Sequence, residues 1–536
     1  MLPGCNDGRA IGRGKRRMSI EMVGLADIVR AHGASCPDTV AIVYEGRRTS
    51  YGALDRASSR IASGLIAEGV RPQARVAHLD KSSDVFFELL FGVAKAGAVM
   101  VSVNWRLAAP EVLQIVNDAE AEILFVGEEY FPVVEKIQDQ LKSVRRIVTL
   151  GPRHGAWEAF AEWRDRHPDI DPRVPVRLED TAVQFYTSGT TGLPKGAELT
   201  NANFKFMFEQ WTGSWLMKPG TQNIVCLPMF HIGGAGWAIA GLFAGATNHV
   251  VREFVPARVL EIIERDRIEV MLLVPAMILF LVQAPQIRET DLSSLRLIVY
   301  GAAPIPAELL KQAMATFGCG FQQVYGLTET TGAITLLPPE DHDPSDAKKL
   351  LSCGYAQVGV ELRIVDEAGA DMPAGKVGEI AIRSPQVMRG YWRLPDATKR
   401  AIHGDWFLSG DAGYLDEKGY LFIYDRVKDM IVSGGENIYP AEVESALFGH
   451  PAVADVAVIG VPDERWGEAV KAVVVRKTGA EVTAGDLIGW ARERIAGYKL
   501  PKSVDFIDVL PRNPTGKLLK RELRKPYWEG RGRNIN

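Results

Sequence analysis

A run rich in glycine and hydroxyl side chains near the middle of the chain has the composition of a phosphate-binding loop. Residues 185–196 read FYTSGTTGLPKG. Glycine lets the backbone approach an anion closely and adopt positive φ, so several N–H groups and hydroxyls can point toward one phosphate. An ordinary surface turn seldom combines hydroxyls, glycine and lysine so densely. The residues predicted to bind phosphate are Thr187, Ser188, Gly189, Thr190, Thr191, Gly192 and Lys195.

This loop does not match the lysine pattern of the common nucleoside triphosphatases. That pattern places glycine directly before the lysine and serine or threonine directly after it. Here Pro194 precedes Lys195 and Gly196 follows it. The apolar residues Ala182 and Val183 lead into the loop and indicate a buried strand. The sequence therefore predicts a phosphate-binding loop of another kind.

Further residues that could do chemistry follow other predicted strands, at the edge where open α/β sheets bind ligands. His231 ends one strand, although a single histidine there is more often a packing residue. The small residues Gly301, Ala302 and Ala303 end another, where they would leave the backbone open to a flat ring or simply allow close packing.

The run from Tyr325 to Glu329 and the later Asp411 add the remaining groups. Tyr325 could stack on a base, and Thr328 and Glu329 could hold phosphate and a hydrated cation. Glu329 alone would be read as a solvated carboxylate. Asp411 is predicted to lie in a tight glycine turn, where its two carboxylate oxygens can accept both hydroxyls of a ribose.

Alternating strand and helix patterns position these residues and indicate an α/β fold with mostly parallel strands. From Leu362 the strands become short and glycine turns separate them, which predicts a small β subdomain. A compact α+β module follows. We expect a basic N-terminal extension over 1–18, a large domain over 19–426 and a small C-terminal domain over 427–536.

Length and composition favour a globular enzyme with more than one domain. The chain has 536 residues, 47% of them hydrophobic, and a net charge of −4, which gives no reason to expect a nucleic-acid partner. Its five cysteines are scattered and form no C-x-x-C pair, which argues against a disulfide framework. We therefore expect a reducing compartment, the cytoplasm. No apolar run is long enough to span a membrane. Peripheral membrane contact and a homodimer are compatible with the sequence but not required by it.

Taken together and in order, several stretches resemble the adenylate-forming superfamily, which includes acyl-CoA synthetases, peptide-synthetase adenylation domains and beetle luciferases. The run from Ser433 to Pro440 is most similar to that of fatty or aryl acid–CoA ligases. The stretches that carry the resemblance are Tyr186–Gly196, Leu227–His231, Tyr300–Pro304, Tyr325–Glu329, Ser409–Asp411, Arg426–Gly435 and Pro514–Lys517.

The resemblance implies a fold and a reaction. The fold is a large domain of two α/β subdomains and a small β-barrel subdomain, followed by a mobile α+β C-terminal domain. In the reaction a small-molecule carboxylic acid attacks the α-phosphorus of ATP, which gives an acyl-adenylate and pyrophosphate. The CoA thiolate then attacks the acyl carbon and releases AMP. ATP, Mg²⁺ and CoA are therefore the expected cofactor and co-substrates.

The resemblance also implies a role for each motif residue. Lys517 would bridge the carboxylate and the α-phosphate, and His231 would orient the carboxylate or gate the acyl pocket. Thr187–Gly196 would hold the β- and γ-phosphates. The other assignments are Gly301, Ala302, Ala303 and Tyr325 to adenine, Asp411 and Arg426 to the ribose, Thr328 to the α-phosphate, and Glu329 and Thr187 to Mg²⁺.

The second half-reaction and the acyl pocket are assigned in the same way. Lys428 matches the family's hinge, and rotation there would bring Ser433, Gly434, Gly435 and Glu436 to the channel where CoA enters. The expected acyl pocket residues are Phe230, Trp237, Val299 and Gly326. They offer no cation, which argues against a dicarboxylate. We expect a medium- to long-chain fatty acid, with an aryl or short branched-chain acid as the alternative.

Three other functions remain open at this stage. A stand-alone adenylation enzyme that loads a carrier protein would share every ATP residue. Amino-acid-selecting domains usually carry an aspartate shortly after the histidine stretch, and 232–240 has none. A luciferase-like monooxygenase is weakly supported. A non-enzymatic nucleotide-binding scaffold is disfavoured because Lys517, Glu329 and Asp411 all stand in place.

Overall fold

The computed structural model describes residues 20–188, 194–426, 429–433, 436–463, 465–512 and 518–529. Several predictions fall outside these residues. They concern the extension over 1–18, Gly189, Thr190, Thr191, Gly192, Lys428, Gly434, Gly435 and Lys517. The backbones of Ser188, Arg426 and Glu436 are described, but their side chains are not.

A nine-stranded mixed sheet forms one half of the large domain. Its central strands run parallel, and both its edges are antiparallel. In spatial order the strands are β16 (Tyr355–Ala356), β15 (Gly332–Leu337), β14 (Gly320–Leu327), β13 (Leu297–Gly301), β12 (Val270–Leu273), β10 (Gln222–Val225), β11 (Thr247–Val250), β1 (Val40–Tyr44) and β2 (Arg47–Ser50).

An eight-stranded sheet forms the other half. The two strands that flank the phosphate loop form an antiparallel hairpin at one side of it, and β19 adds to this hairpin in antiparallel fashion. The other strands of the sheet pair in parallel. In spatial order the strands are β19 (Gly390–Tyr391), β9 (Pro194–Thr200), β8 (Thr181–Ser188), β4 (Val99–Ser102), β3 (Arg75–Leu79), β5 (Ile123–Val126), β6 (Arg146–Thr149) and β7 (Glu158–Ala159).

Helices fill the layer between the two sheets and cover their outer faces. The α-helices are α1 (Ala26–Ser35), α2 (Tyr51–Ala67), α3 (Asp84–Lys95), α4 (Ala109–Asp118), α5 (Phe131–Glu135), α6 (Phe160–Asp165), α7 (Asn201–Trp211), α8 (Ile232–Phe243), α9 (Pro256–Arg265), α10 (Pro275–Gln283), α11 (Ala307–Phe317), α12 (Pro395–Ala401), α13 (Pro440–Phe448), α14 (Ala484–Arg492) and α15 (Lys520–Trp528). Short 3-10 turns span Glu128–Tyr130, Gln138–Gln140, Pro285–Arg288, Thr328–Thr330, Pro339–Asp341, Lys349–Leu351 and Gly497–Lys499.

The parallel strands are buried on both faces, as sheets covered by helices require. Successive side chains of a strand point to opposite faces. Val270 of β12 therefore joins the core between the sheets, while its neighbour Met271 joins the core under α9, α10 and α11. Ile123 and Leu124 of β5 divide in the same way between the central core and the core under α4 and α5.

Hydroxyl side chains cap the N-termini of two helices. Ser50 accepts a hydrogen bond from the Ala53 N–H at 3.2 Å and begins α2. Thr200 caps α7, where its hydroxyl accepts from the Asn203 N–H at 3.2 Å. The Thr200 cap begins α7 at the point where the chain leaves β9 of the phosphate-loop hairpin.

Two smaller sheets complete the molecule. The β subdomain contains β17 (Glu361–Val365), β18 (Gly378–Arg383), β21 (Trp406–Leu415), β20 (Ile402–His403) and β22 (Leu421–Arg426), all antiparallel. The C-terminal sheet contains β24 (Glu436–Ile438), β23 (Ile431–Ser433), β26 (Gly467–Arg476), β25 (Val453–Asp463) and β27 (Ser503–Phe506), with α13 and α14 against it. The predicted fold class, a large α/β domain with a β subdomain and a small α+β C-terminal domain, is confirmed.

Among the described residues, no helix combines the length and apolar character needed to cross a bilayer.

Candidate active site

The backbone at the end of β13 adopts an unusual conformation at the predicted adenine site. A Cβ on Gly301 would lie 2.2 Å from the carbonyl oxygen of Val324 on the adjacent strand, so only glycine fits there. Ala302 is exposed and has a φ of +65°, which is costly for a residue with a side chain. Such strain often marks a ligand site. Close packing explains Gly301, whereas the conformation of Ala302 points to a role at the surface of the site.

A hydrogen bond joins the predicted adenine and ribose residues. The Tyr325 hydroxyl donates to Oδ2 of Asp411 at 2.8 Å, and both side chains are buried. Tyr325 belongs to β14 of the large sheet, and Asp411 belongs to β21 of the β subdomain. The bond therefore connects two subdomains at the place where the sequence predicts the nucleoside. It also fixes one oxygen of the carboxylate that would accept the ribose hydroxyls.

The prediction that Asp411 lies in a tight turn is wrong. Trp406–Leu415 is one ten-residue strand, and Asp411 lies inside it, opposite Arg426 of β22. Gly410 has a φ of +71°, and the register with β22 shifts between Ala412 and Gly413. Glycines that suggested a turn instead allow an irregular strand. The strand nevertheless brings the two predicted ribose residues to paired positions.

The phosphate loop and the run after Tyr325 meet at Glu329. The Thr187 hydroxyl, at the end of β8, donates to Oε1 of Glu329 at 3.3 Å. Glu329 lies in the 3-10 turn Thr328–Thr330, directly after β14. The N–H of Met388 holds its backbone by donating to the Glu329 carbonyl at 2.7 Å. Thr187 and Glu329, 142 positions apart, are thus brought together as predicted for a shared Mg²⁺ site.

Tyr391, to which the sequence motifs gave no role, contacts two of the predicted residues. Its hydroxyl donates to Oε1 of Glu329 at 2.9 Å, and the Lys195 ammonium lies 5.0 Å from the centre of its ring. Tyr391 belongs to the two-residue strand β19, which pairs with β9 of the phosphate-loop hairpin. The run Arg389–Trp392 offered a signal, a glycine followed by two aromatic residues. However, the sequence of that run does not indicate that it contacts Lys195.

A buried polar network fixes the phosphate-loop hairpin from behind. The Arg75 guanidinium lies 3.4 Å from the Trp392 ring centre and pairs with Glu198 of β9 at 2.8 Å. Tyr186, next to Thr187, donates its hydroxyl to Asp118 at 2.6 Å. Burial, and then the nearby Asp118 carboxylate, raise the pKa of Tyr186 well above its usual value. Tyr186 therefore stays protonated and keeps the hairpin attached to the end of α4.

His231 caps helix α8 and has a defined orientation. Its Nδ1 accepts a hydrogen bond from the Gly233 N–H at 3.1 Å. In the neutral ring the proton must then be on Nε2, which becomes a donor. The side chain is half-buried, as is that of Phe230. The Phe230 ring meets Trp105 edge-on at 6.5 Å. The orientation of the carboxylate by His231 stays a prediction.

The other residues predicted for the acyl pocket lie deep in the large domain. Trp237 and Val299 belong to the apolar core between the sheets, and Trp237 packs 5.1 Å from Trp215. At Gly326 a Cβ would lie 1.8 Å from the Gly332 carbonyl oxygen, so the position requires glycine. The role of these residues as an acyl pocket stays a prediction.

The donor groups at Glu329 fit a magnesium ion shared with a nucleotide. Mg²⁺ prefers oxygen ligands and commonly uses one or two carboxylates together with substrate phosphates and water. Over the residues that the structure describes, no cluster of three or more His, Cys, Asp or Glu side chains could hold a metal alone. The Glu329 carboxylate and the Thr187 hydroxyl therefore fit Mg²⁺ when phosphate oxygens and water complete its shell.

Asp411→Asn tests the ribose assignment. The amide oxygen can still accept the Tyr325 hydroxyl, but the side chain loses the charge and the second acceptor needed for the ribose. We expect the KM for ATP to rise roughly tenfold or more, with a smaller change in kcat. Initial rates at varied ATP concentration measure this, with Asp139→Asn as the exposed control. An unchanged KM for ATP would contradict the assignment.

The chain was compared with known families and proteins. The model of the AMP-binding enzyme family matches residues 29–392, and that of the AMP-binding enzyme C-terminal domain matches residues 442–517. A fatty acid–[acyl-carrier-protein] ligase of Streptomyces coeruleorubidus is 42% identical over 510 residues, which cover 94% of this chain and 96% of that protein. A long-chain-fatty-acid–CoA ligase of Mycobacterium tuberculosis is 37% identical over 480 residues, 90% of this chain and 93% of that one.

A solved structure supports the same family assignment. The crystal structure of an anthranilate CoA ligase in complex with anthranoyl-AMP superposes with a TM-score of 0.89 at 27% identity. The match covers 94% of this chain and 97% of that chain. The chain belongs to the AMP-binding enzyme family. It is an ATP-dependent ligase that activates a carboxylic acid as an acyl-adenylate, and the predicted enzyme class, an AMP-forming acid–thiol ligase, is confirmed.

Proposed function

We propose that this enzyme joins a medium- to long-chain fatty acid to CoA, with ATP converted to AMP and pyrophosphate. The observation that carries the proposal is the meeting of the phosphate-loop hairpin, Glu329 and the Tyr325–Asp411 pair at one edge of the large sheet. This arrangement suits one nucleotide, with its phosphates at Thr187 and its ribose at Asp411. The carboxylate would then approach from the side of His231.

The apolar surroundings support a fatty acyl group. Phe230, Trp237 and Val299 are aromatic or aliphatic residues, and none of them could pair with a second carboxylate. Two relatives described above are named as fatty-acid ligases. An apolar chain gains about 0.8 kcal/mol for each buried methylene, so chain length would control affinity.

Positioning and charge stabilisation do most of the work in the first half-reaction. Lys195 and the phosphate loop hold the leaving pyrophosphate, and Thr328 contacts the α-phosphate. His231 orients the attacking carboxylate, and Lys517 stabilises the charge that develops between it and the α-phosphate. Mg²⁺, when bound at Glu329, would supply Lewis-acid polarisation of the phosphate oxygens.

The same domain arrangement suggests how the second half-reaction follows. The C-terminal domain, 427–536, would rotate about Lys428, withdraw Lys517 and bring Ser433–Glu436 to the CoA channel. Ser433 lies at the end of β23, where it pairs with Glu436 of β24 and Gly467 of β26. This hairpin would present backbone donors to the pantetheine arm of CoA.

Lys428→Pro tests the hinge. Proline fixes φ and removes a backbone donor, so it should hinder a rotation that needs a change in φ and ψ. We expect thioester formation to slow more than adenylation. Single-turnover measurement of both half-reactions checks this, with Lys428→Ala as a control that keeps the backbone free. Equal slowing of both half-reactions in the proline variant would refute the hinge.

A carrier protein is the second candidate acceptor. The fatty acid–[acyl-carrier-protein] ligase is 42% identical to this chain, and loading a carrier uses the same adenylation residues. An aryl acid is the second candidate substrate, because the solved relative with anthranoyl-AMP is a CoA ligase for an aromatic acid.

One product assay separates these possibilities. The enzyme is incubated with ATP, Mg²⁺ and fatty, aryl or short branched-chain acids, in the presence of CoA or of a phosphopantetheinylated carrier protein. Mass spectrometry then identifies the thioester. Fatty acyl-CoA as the fastest product supports the proposal, whereas a thioester formed only on the carrier, or only from aryl acids, overturns it. A cytoplasmic location, membrane contact and a homodimer stay predictions.

A further inference from the structure

We propose that Tyr391 is a positioning residue that sets Glu329 for Mg²⁺ and Lys195 for the phosphates of ATP. This inference rests on the proposed function, because it concerns the same nucleotide site. The motif assignments of the sequence gave Tyr391 no role. Its side chain nevertheless contacts both an acidic and a basic residue of that site.

The first contact orients the carboxylate. Tyr391 donates its hydroxyl to Oε1 of Glu329 at 2.9 Å, and Thr187 donates to the same oxygen at 3.3 Å. Within the described part of the chain, no hydrogen bond reaches Oε2. Two donors on one oxygen fix the rotation of the carboxylate. A cation would therefore meet a carboxylate that is already oriented.

The second contact holds the lysine. The Lys195 ammonium lies 5.0 Å from the centre of the Tyr391 ring, within the range of a cation–π interaction. Among the described residues, no ion pair within 4.0 Å joins Lys195 to Glu329. Tyr391 contacts both charges and so helps to keep them apart. The carboxylate remains available to a cation, and the ammonium remains available to a phosphate.

The backbone of Tyr391 is itself well fixed. In the register of β19 with β9, Tyr391 stands opposite Ala197, two positions after Lys195. Its N–H donates to the Thr398 hydroxyl at 2.9 Å. The next N–H, of Trp392, donates to the Gly196 carbonyl at 2.7 Å. Tyr391 is therefore attached to the strand that carries Lys195, and its side chain connects that strand with the turn that carries Glu329.

Two substitutions of Tyr391 distinguish its contact with Glu329 from its contact with Lys195. Tyr391→Phe removes the hydroxyl but keeps the ring, so it should affect Glu329 and spare Lys195. Tyr391→Leu removes both contacts. Tyr355→Phe, at a tyrosine 38% exposed, is the matched control. The phenylalanine variant preserves the packing of the ring, and its thermal unfolding should match that of the wild-type protein.

The experiment measures nucleotide binding as well as activity. Calorimetry determines the Kd of ATP with Mg²⁺ and with EDTA, and pyrophosphate exchange determines the Mg²⁺ concentration for half-maximal rate. For Tyr391→Phe we expect this Mg²⁺ concentration to rise roughly threefold to tenfold, with the Kd of ATP in EDTA unchanged. For Tyr391→Leu we expect the Kd in EDTA also to rise, about twofold to fivefold.

Other results would overturn the inference. An unchanged Mg²⁺ requirement in Tyr391→Phe, even with a lower kcat, would mean that the hydroxyl does not position the metal ligand. Equal weakening of metal-free ATP binding in both variants would mean that the ring does not act on Lys195. A wild-type protein without carboxylate-dependent exchange would instead refute the proposed function, and the calorimetric comparison would still test Tyr391.

Discussion

Replacing Lys517 with alanine should slow acyl-adenylate formation by about 10²–10³-fold, the cost of losing one preorganised donor at a developing charge. Thioester formation from a supplied acyl-adenylate should stay near the wild-type rate, because the proposed mechanism withdraws Lys517 before that half-reaction. Pyrophosphate exchange measures the first half-reaction, and chromatography of acyl-CoA made from synthetic acyl-adenylate measures the second. The exposed Lys477→Ala is the control.

The described residues on either side of 513–517 are anchored. Arg512 and Leu518 form an antiparallel bridge. Arg512 is in turn paired with Asp455 of β25 at 2.7 Å. If both half-reactions fell equally in Lys517→Ala, the assignment would be wrong.

Replacing Glu329 with glutamine should have the second-largest effect. The amide keeps the size of the side chain but removes the charge that attracts Mg²⁺. We expect adenylation to fall about 10²-fold and to recover in part at high Mg²⁺. Exchange rates over a Mg²⁺ titration measure this, with Glu209→Gln on the exposed face of α7 as the control.

The second half-reaction distinguishes a metal role from a folding defect. Thioester formation from supplied acyl-adenylate needs no pyrophosphate departure, so Glu329→Gln should retain it. A loss that high Mg²⁺ does not relieve, together with an equal loss of thioester formation, would show that Glu329 supports the structure and not the metal.

Much of the fold could be predicted because its signals are local. The alternation of apolar strands such as Val270–Leu273 with amphipathic helices indicated parallel sheets covered on both faces. The apolar residues Ala182 and Val183 indicated a buried strand leading into the phosphate loop, and they lie in β8.

The parts that could not be predicted depend on contacts between distant residues. Tyr325 and Asp411 are 86 positions apart, and no local pattern indicates that one donates to the other. Tyr391 reaches Lys195 only because β19 pairs with β9 at the edge of the eight-stranded sheet. The glycines around Asp411 suggested a turn because glycine serves equally in turns and in irregular strands.

The most direct test of the central claim follows an oxygen atom. The acid is labelled with oxygen-18 in its carboxylate and incubated with the enzyme, ATP, Mg²⁺ and CoA, and the AMP is analysed by mass spectrometry. If the carboxylate attacks the α-phosphorus and the thiolate then attacks the acyl carbon, each AMP must carry one carboxylate oxygen. Unlabelled AMP, or the formation of ADP and phosphate instead, would contradict an acyl-adenylate intermediate.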